Sequence, residues 1–187
     1  MSQPPPLKAP AVPPVHGEAD FVRPLALGCM LASALLAAWF VVQALVAIPV
    51  SATPQWQAVQ DGARAFGLRP SAQWLLAHPV LASALLAASC LPGLAICIGL
   101  YRRQAWGLWG FAAWLVLTGL GNFVVAWWMD GVIMELIAGV TDAAMRDELL
   151  TERFGFSVTL LGTCVLFGAL QGWLAWRLLQ ADIRARF

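Results

Sequence analysis

Four long apolar runs, Pro24–Val50, Pro79–Leu100, Trp106–Trp128 and Phe154–Leu179, alternate with segments that mix charged and apolar residues. Each run exceeds the ~20 residues that an α-helix needs to cross a bilayer core, so the pattern predicts four transmembrane helices. The tightest joint is Tyr101-Arg102-Arg103-Gln104, between the second and third runs. A charge at mid-bilayer depth costs at least ~2.5 kcal/mol, so Arg102 and Arg103 must face water and anchor the turn of a membrane hairpin.

The two longer connections are amphipathic. In residues 51–78, Trp56, Val59, Ala63 and Phe66 recur at helical spacing opposite Gln57, Gln60, Asp61 and Arg64, as expected of a helix lying in the membrane interface. Arg69-Pro70-Ser71 should break it, with Ser71 capping a further turn over Ala72–Ala77 that brings Trp74 to the surface. In residues 129–153, Ile133, Ile137, Val140 and Ala144 form an apolar stripe amid Glu135, Asp142, Asp147, Glu148 and Glu152. The predicted fold is therefore an all-α integral membrane protein, a four-transmembrane-helix bundle with two amphipathic outer interfacial helical segments.

Within the runs, Pro92-Gly93 predicts a kink that frees the carbonyl of Ala88, which Ser89 could reuse. The first run is too long for a signal-peptide core and reads as an uncleaved anchor, although Val50-Ser51-Ala52 has small-residue character. Ahead of it, residues 1–23 are proline-rich and should form an extended cytoplasmic tail, with Pro10-Ala11-Val12-Pro13 a minimal PxxP. The domain plan is thus a disordered tail, 1–23, and one membrane domain, 24–187.

Composition reinforces this picture. Apolar residues make up 60 % and charged residues 11 % of the chain, far from the roughly one-quarter charged of a soluble domain. A net charge of +1 argues against nucleic acid as a partner. With Lys8 its single lysine, the chain has the arginine and alanine bias of a GC-rich bacterial genome, hence an expected bacterial inner membrane. Four crossings put both tails on the side of the Arg102-Arg103 turn. That side carries Lys8, Arg23, Arg177, Arg184 and Arg186 as well, whereas most acids fall opposite, so both termini are expected in the cytoplasm.

Candidate chemistry is sparse. No Asp, Glu, Lys, Arg or His lies in the middle of a run, which disfavours proton-coupled transport. Cys29, Cys90, Cys97 and Cys164 sit in apolar surroundings as small packers, and neither His16 nor His78 is placed to hold haem at depth, so no cofactor, metal or catalytic residue is expected. The deep polar residues are Gln43, Asn122 and Gln171, with Thr118 one turn from Asn122. Gln43 and Asn122 fall at a common depth, ~9–11 Å below the outer interface, where they could hydrogen-bond as interhelical glue or line a solute path. Gly168 and Gly172 form a GxxxG that Gly162 extends, a packing face inside the bundle or between protomers. The acidic outer segment is a solvated face or a docking surface for a protein partner. The octapeptide LASALLAA occurs at 31–38 and again at 81–88, a coincidence of Ala/Leu-rich helices. The expected role is a non-catalytic accessory or assembly component in the bilayer; the alternative is an oligomeric carrier or channel for a neutral or apolar solute, lined by Gln43, Thr118 and Asn122.

Overall fold

A computed structural model describes residues 21–185 and 187. The proline-rich stretch up to residue 20, including the PxxP, Lys8 and His16, and Arg186 lie outside the described residues. The described chain consists of seven helices, α1 (Val22–Ser51), α2 (Pro54–Ala65), α3 (Pro70–Ala77), α4 (Pro79–Tyr101), α5 (Ala105–Ala138), α6 (Ala143–Leu178) and α7 (Ala181–Arg184). Four of them, α1, α4, α5 and α6, are long and apolar enough to span a membrane. It is an all-α, multi-pass membrane bundle.

The spanning helices pack in sequence order: α1 runs along α4, α4 along α5 and α5 along α6. One end of the bundle carries Arg102 and Arg103 and is called here the arginine end; the other, which carries α2, α3 and the α5–α6 turn, is the acidic end. Burial concentrates at the arginine end, where Ala26 of α1, Leu100 of α4, Leu108 and Phe111 of α5, Leu178 of α6 and Ile183 of α7 meet in one core. Through the middle of the spans the large apolar side chains point outward, with Leu31 63 % and Leu166 70 % exposed. Such a surface is stable only against lipid, because soluble proteins do not expose contiguous apolar patches of this extent.

At about 1.5 Å per residue, the 23 residues of α4 reach ~35 Å, whereas the 34 of α5 and 36 of α6 reach ~51 and ~54 Å. A hydrocarbon core is ~30 Å thick, so α5 and α6 project beyond it. Residues 129–153 are therefore helical, as expected, but do not form a separate helix lying in the interface. They are the projecting ends of α5 and α6 and the turn between them. The reason is charge pairing. Arg153 and Ser157 of α6 hydrogen-bond Asp130, and Arg69 pairs with Glu135, so the helix need not stop where its apolar run does. Asp142 then starts α6 by accepting hydrogen bonds from the backbone N–H groups of Ala144 and Met145.

Residues 51–78 fold into two short helices, as the break at Arg69-Pro70 predicts. Thr53 caps α2, its hydroxyl accepting from the Trp56 N–H. Gly67, in the left-handed region at φ 66°, ends α2 in a Schellman turn, with Leu68 N–H bonded to Ala63 O and Gly67 N–H to Arg64 O. Ser71 does not cap α3; that position belongs to Arg69, and the Ser71 hydroxyl instead accepts from the Trp128 indole N–H at 2.8 Å. In α4 the helix continues through Pro92, and Ser89 donates to Leu86 O rather than to Ala88. Gly93 gives the Trp114 ring of α5 room to lie against α4, since a Cβ there would already touch it at 3.4 Å.

Candidate functional site

The four deep polar residues are not brought together as the depth argument suggests. Gln43, on α1, and Asn122, on α5, are both exposed along the spans and share no hydrogen bond. The physical reason is the packing order: α1 lies along α4, so equal depth in the membrane does not place it against α5. The pairing that does form joins α5 to α6. Gln171 Nε2 donates to the Thr118 hydroxyl at 3.3 Å, and that hydroxyl donates back to Trp114 O at 2.8 Å. Gln171 Oε1 is buried without a hydrogen-bond partner among the described residues. It reaches this place because position 119 is glycine: a Cβ on Gly119 would stand 2.9 Å from it. One turn along, the Cys164 thiol donates to the Asn122 carbonyl at 3.5 Å.

The glycine motif divides. Gly168 faces α5, where an added Cβ would touch the Phe123 ring at 3.4 Å, whereas Gly172 and Gly162 look into open space. Gly168 belongs to the α5–α6 seam; Gly162 and Gly172 leave a small-residue surface toward the lipid.

Ordered polar chemistry gathers instead at the two ends. At the arginine end, Arg102 and Arg103 close α4 in a second Schellman turn, with Gln104 N–H bonded to Gly99 O and Arg103 N–H to Leu100 O. Arg103 adopts φ 55°, the left-handed conformation that glycine favours. Gln104 then precedes α5 and accepts from the Trp106 indole at 2.8 Å. The turn is tight because a glycine stands on each side of it. A Cβ on Gly107 would lie 2.3 Å from the Gly99 carbonyl carbon, and one on Gly99 would enter the Trp106 ring. Beside it, Arg23 of α1 sits 6.0 Å over the Tyr101 ring.

At the acidic end, α2 and α3 form a hairpin clamped onto α5. The Trp56 indole and the Gln60 amide both donate to Leu76 O, a carbonyl left over at the end of α3. The Glu135 carboxylate accepts from both the backbone N–H and the guanidinium of Arg69, at 2.8 and 3.0 Å, so it secures the first turn of α3. Gly131 makes room for that guanidinium, which would collide with a Cβ. His78 stacks on Trp74 at the α3–α4 junction, with ring centroids 5.3 Å apart. Glu135, Asp130 and Asp142 are thus committed to structure, and Asp147, Glu148 and Glu152 are the acids left exposed on the first turns of α6.

Three of the cavities between the described residues bear on function. One of ≈ 510 Å³ lies between α2, α3 and α5, walled by apolar residues such as Val59, Leu75, Trp128 and Leu136. One of ≈ 430 Å³ lies between the projecting ends of α5 and α6, bounded by Phe66, Leu136, Leu149 and Phe156, with Glu152 and Arg153 at its edge. A third, ≈ 760 Å³, is a groove on the bilayer-facing surface beside Trp109, Trp114 and Leu117. None of the three is lined by Gln43, Thr118, Asn122 or Gln171.

No family model, curated protein or solved structure matches the chain. Its chemistry must therefore be read from its own residues. Among the described residues no group of three or more His, Cys, Asp and Glu side chains is disposed to hold a metal ion. The feature that sequence reasoning missed is a thiol pair: Cys29 of α1 packs against the arginine-end core that holds Cys97 of α4. The packing of α1 along α4 brings Cys29 to it, which spacing along the chain cannot show. The polar pairs that do form bind helices to one another, while Gln171 Oε1 stays without a partner among the described residues.

Proposed function

We propose that the chain is a non-catalytic accessory or assembly component of a bacterial inner membrane, with both termini in the cytoplasm and the acidic end outside. The observation that carries this reading is the use made of the polar side chains. Arg69–Glu135, Asp130–Arg153–Ser157 and Thr118–Gln171 each tie one helix to another, and the cavity between α2, α3 and α5 is apolar-walled. The orientation rests on charge: the arginine end carries Arg23, Arg102, Arg103, Arg177 and Arg184 against Asp182 among the described residues. The partner is a protein with a basic face that meets Asp147, Glu148 and Glu152, the acids that α6 leaves exposed.

A carrier for a neutral solute would need an opening that reaches Thr118 and Asn122. Extraction of native membranes in mild detergent separates the two readings. The full chain should migrate in an assembly larger than itself, and Asp147→Lys, Glu148→Lys and Glu152→Lys together should release it with unchanged melting temperature. The reading fails if the chain purified alone into liposomes passes glycerol or urea in a stopped-flow swelling assay and Thr118→Val abolishes that flux.

A further inference from the structure

The cavity between α2, α3 and α5 is a feature that the accessory role does not require. It stands on the acidic end, outside the apolar part of α5. Trp128, Val132 and Leu136 climb one face of α5 at intervals of four residues, and together they form one wall. At about 1.5 Å per residue that wall rises ~12 Å from the end of the apolar run. The floor is made by Leu75 and Leu76, immediately before the His78-Pro79 junction where α4 enters the membrane. The opposite wall is the face of α2 that carries Val59, Gly62 and Phe66. The cavity therefore begins at the level of the lipid headgroups and extends away from the bilayer. The neighbouring ≈ 430 Å³ cavity shares Phe66 and Leu136 with it and continues the apolar surface toward α6.

A surface of this kind should collapse, and the framework around it explains why it does not. Trp56 and Gln60 hold α2 to the end of α3, and Arg69 and Glu135 hold α3 to α5. The hairpin is braced at its edges, away from the centre. Gly62 then leaves the middle of the α2 wall empty: a Cβ added there would meet nothing within 4 Å. Glycine inside a helix is unfavourable by ~1 kcal/mol relative to alanine, so this helix forgoes stability at a position that lines the cavity.

We propose that this cavity holds the acyl chain of a membrane phospholipid, drawn up from the leaflet at the acidic end. Its lining offers no charged side chain, and Arg69, next to the lining residue Leu68, is committed to Glu135, so a headgroup has nothing to bind inside. The chain alone enters, and the headgroup stays at the mouth, beside the exposed Trp74 and the Trp128 indole that anchors to Ser71. A volume of ≈ 510 Å³ lies within the range of small-molecule sites, which bury most of a ligand against apolar walls. Continuity with the bilayer makes lipid the occupant at hand: Val59 and Phe66, about half exposed, are apolar side chains directly above the leaflet.

The test uses the full chain in phosphatidylcholine vesicles containing a trace of phosphatidylcholine with a diazirine at the end of one acyl chain. After irradiation, adducts are mapped by peptide mass spectrometry, and adducts on α1 serve as the reference for ordinary lipid contact. Adducts are expected on Val59–Phe66 and on residues 132–136, beyond the apolar part of the spans. Gly62→Trp should bring them to background and leave α1 unchanged; Gly62→Ala should keep them. If Gly62→Trp does not fold, judged by the α1 pattern, Gly62→Leu takes its place. Adducts confined to the spans would overturn the proposal, as would adducts that survive the filling variant. Disulfide cross-linking of Val59→Cys to its own copy, with no lipid adduct in the wild type, would assign the cavity to a second protomer instead.

Discussion

Replacing Gly107 with alanine should damage this protein more than any other single methyl group added at the glycines of its spans. The added Cβ would stand 2.3 Å from the carbonyl carbon of Gly99, 2.4 Å from the amide nitrogen of Leu100 and 2.8 Å from Gly99 O. Comfortable contacts between such atoms are ~3.5–4.0 Å, so α5 must retreat from α4 by more than about 1 Å. All three obstacles are backbone atoms, and no rotamer change can relieve them. The retreat would loosen Leu100, Leu108 and Phe111, which are at most 2 % exposed in the core directly behind the turn. Overpacking of this type costs ~1–3 kcal/mol. At about 2–4 °C per kcal/mol for a chain of this size, the melting temperature in detergent should fall by roughly 2–12 °C. Gly28→Ala and Gly121→Ala, where a Cβ meets nothing within 4 Å, are the controls, and should leave stability unchanged or raise it. The close approach of α4 and α5 is refuted if Gly107→Ala melts with these controls.

Four further outcomes follow from the same contacts. Arg103→Gly should stabilise the fold by about 1 kcal/mol, because it relieves a left-handed residue at φ 55°, while Arg103→Ala should not; thermal melts distinguish the two. Gly168→Ile should lower the melting temperature through the Phe123 ring, whereas Gly172→Ile should alter only the oligomer size seen by light scattering, or nothing if no protomer packs there. A double-mutant cycle on Arg69→Ala and Glu135→Ala should give a coupling of ~0.2–1 kcal/mol by chemical denaturation, since both side chains remain a quarter to a third exposed. A membrane-permeant thiol oxidant should join Cys29 to Cys97 in preference to Cys90, read as a loss of two hydrogens in the linked peptides; a Cys90–Cys97 product would contradict the α1–α4 packing.

The spans, their number and the hairpin turn at Arg102-Arg103 are legible in the sequence because a bilayer imposes a length and excludes charge, and both constraints act on contiguous residues. The break at Arg69-Pro70 is legible for a similar reason, since proline acts locally. Packing between helices obeys neither rule. Gln43 and Asn122 share a depth, but depth leaves open which helix is the neighbour, and α1 lies on α4. The better signal was charge complementarity across the second hairpin. Matching Asp130 with Arg153 and Ser157 sets the antiparallel register of α5 and α6, and that register carries Thr118 to Gln171. The same pairing extends both helices past the membrane, which hydropathy alone, reading Asp130 as an end, cannot anticipate. Arg103 was legible as part of the hairpin turn; its left-handed backbone was not, because the Schellman turn at Gly67 follows glycine and this one does not.

The two ends are closed by different means, and the difference bears on where the molecule can yield. At the arginine end, glycine lets backbone meet backbone, and side chains from α1, α4, α5, α6 and α7 fill one core. Close packing of that kind resists deformation, since every displacement opens voids or creates overlaps. At the acidic end the smaller core of Ala63, Leu68 and Ala72 supports a hairpin held by individual hydrogen bonds and one ion pair, with an open apolar cavity behind it. Few buried contacts and exposed polar ties are the conditions for local opening at low free energy. Entry of an acyl chain requires such opening, and binding of a partner at Asp147, Glu148 and Glu152 would act on the adjoining α5–α6 projection. Amide hydrogen exchange should therefore be faster in α2 and α3 than in the arginine-end turns of α4 and α5, and slow selectively in α2 when the cavity is filled by Gly62→Trp. Equal protection at both ends would show that the hairpin is as rigid as the core and would remove the route by which a lipid chain enters.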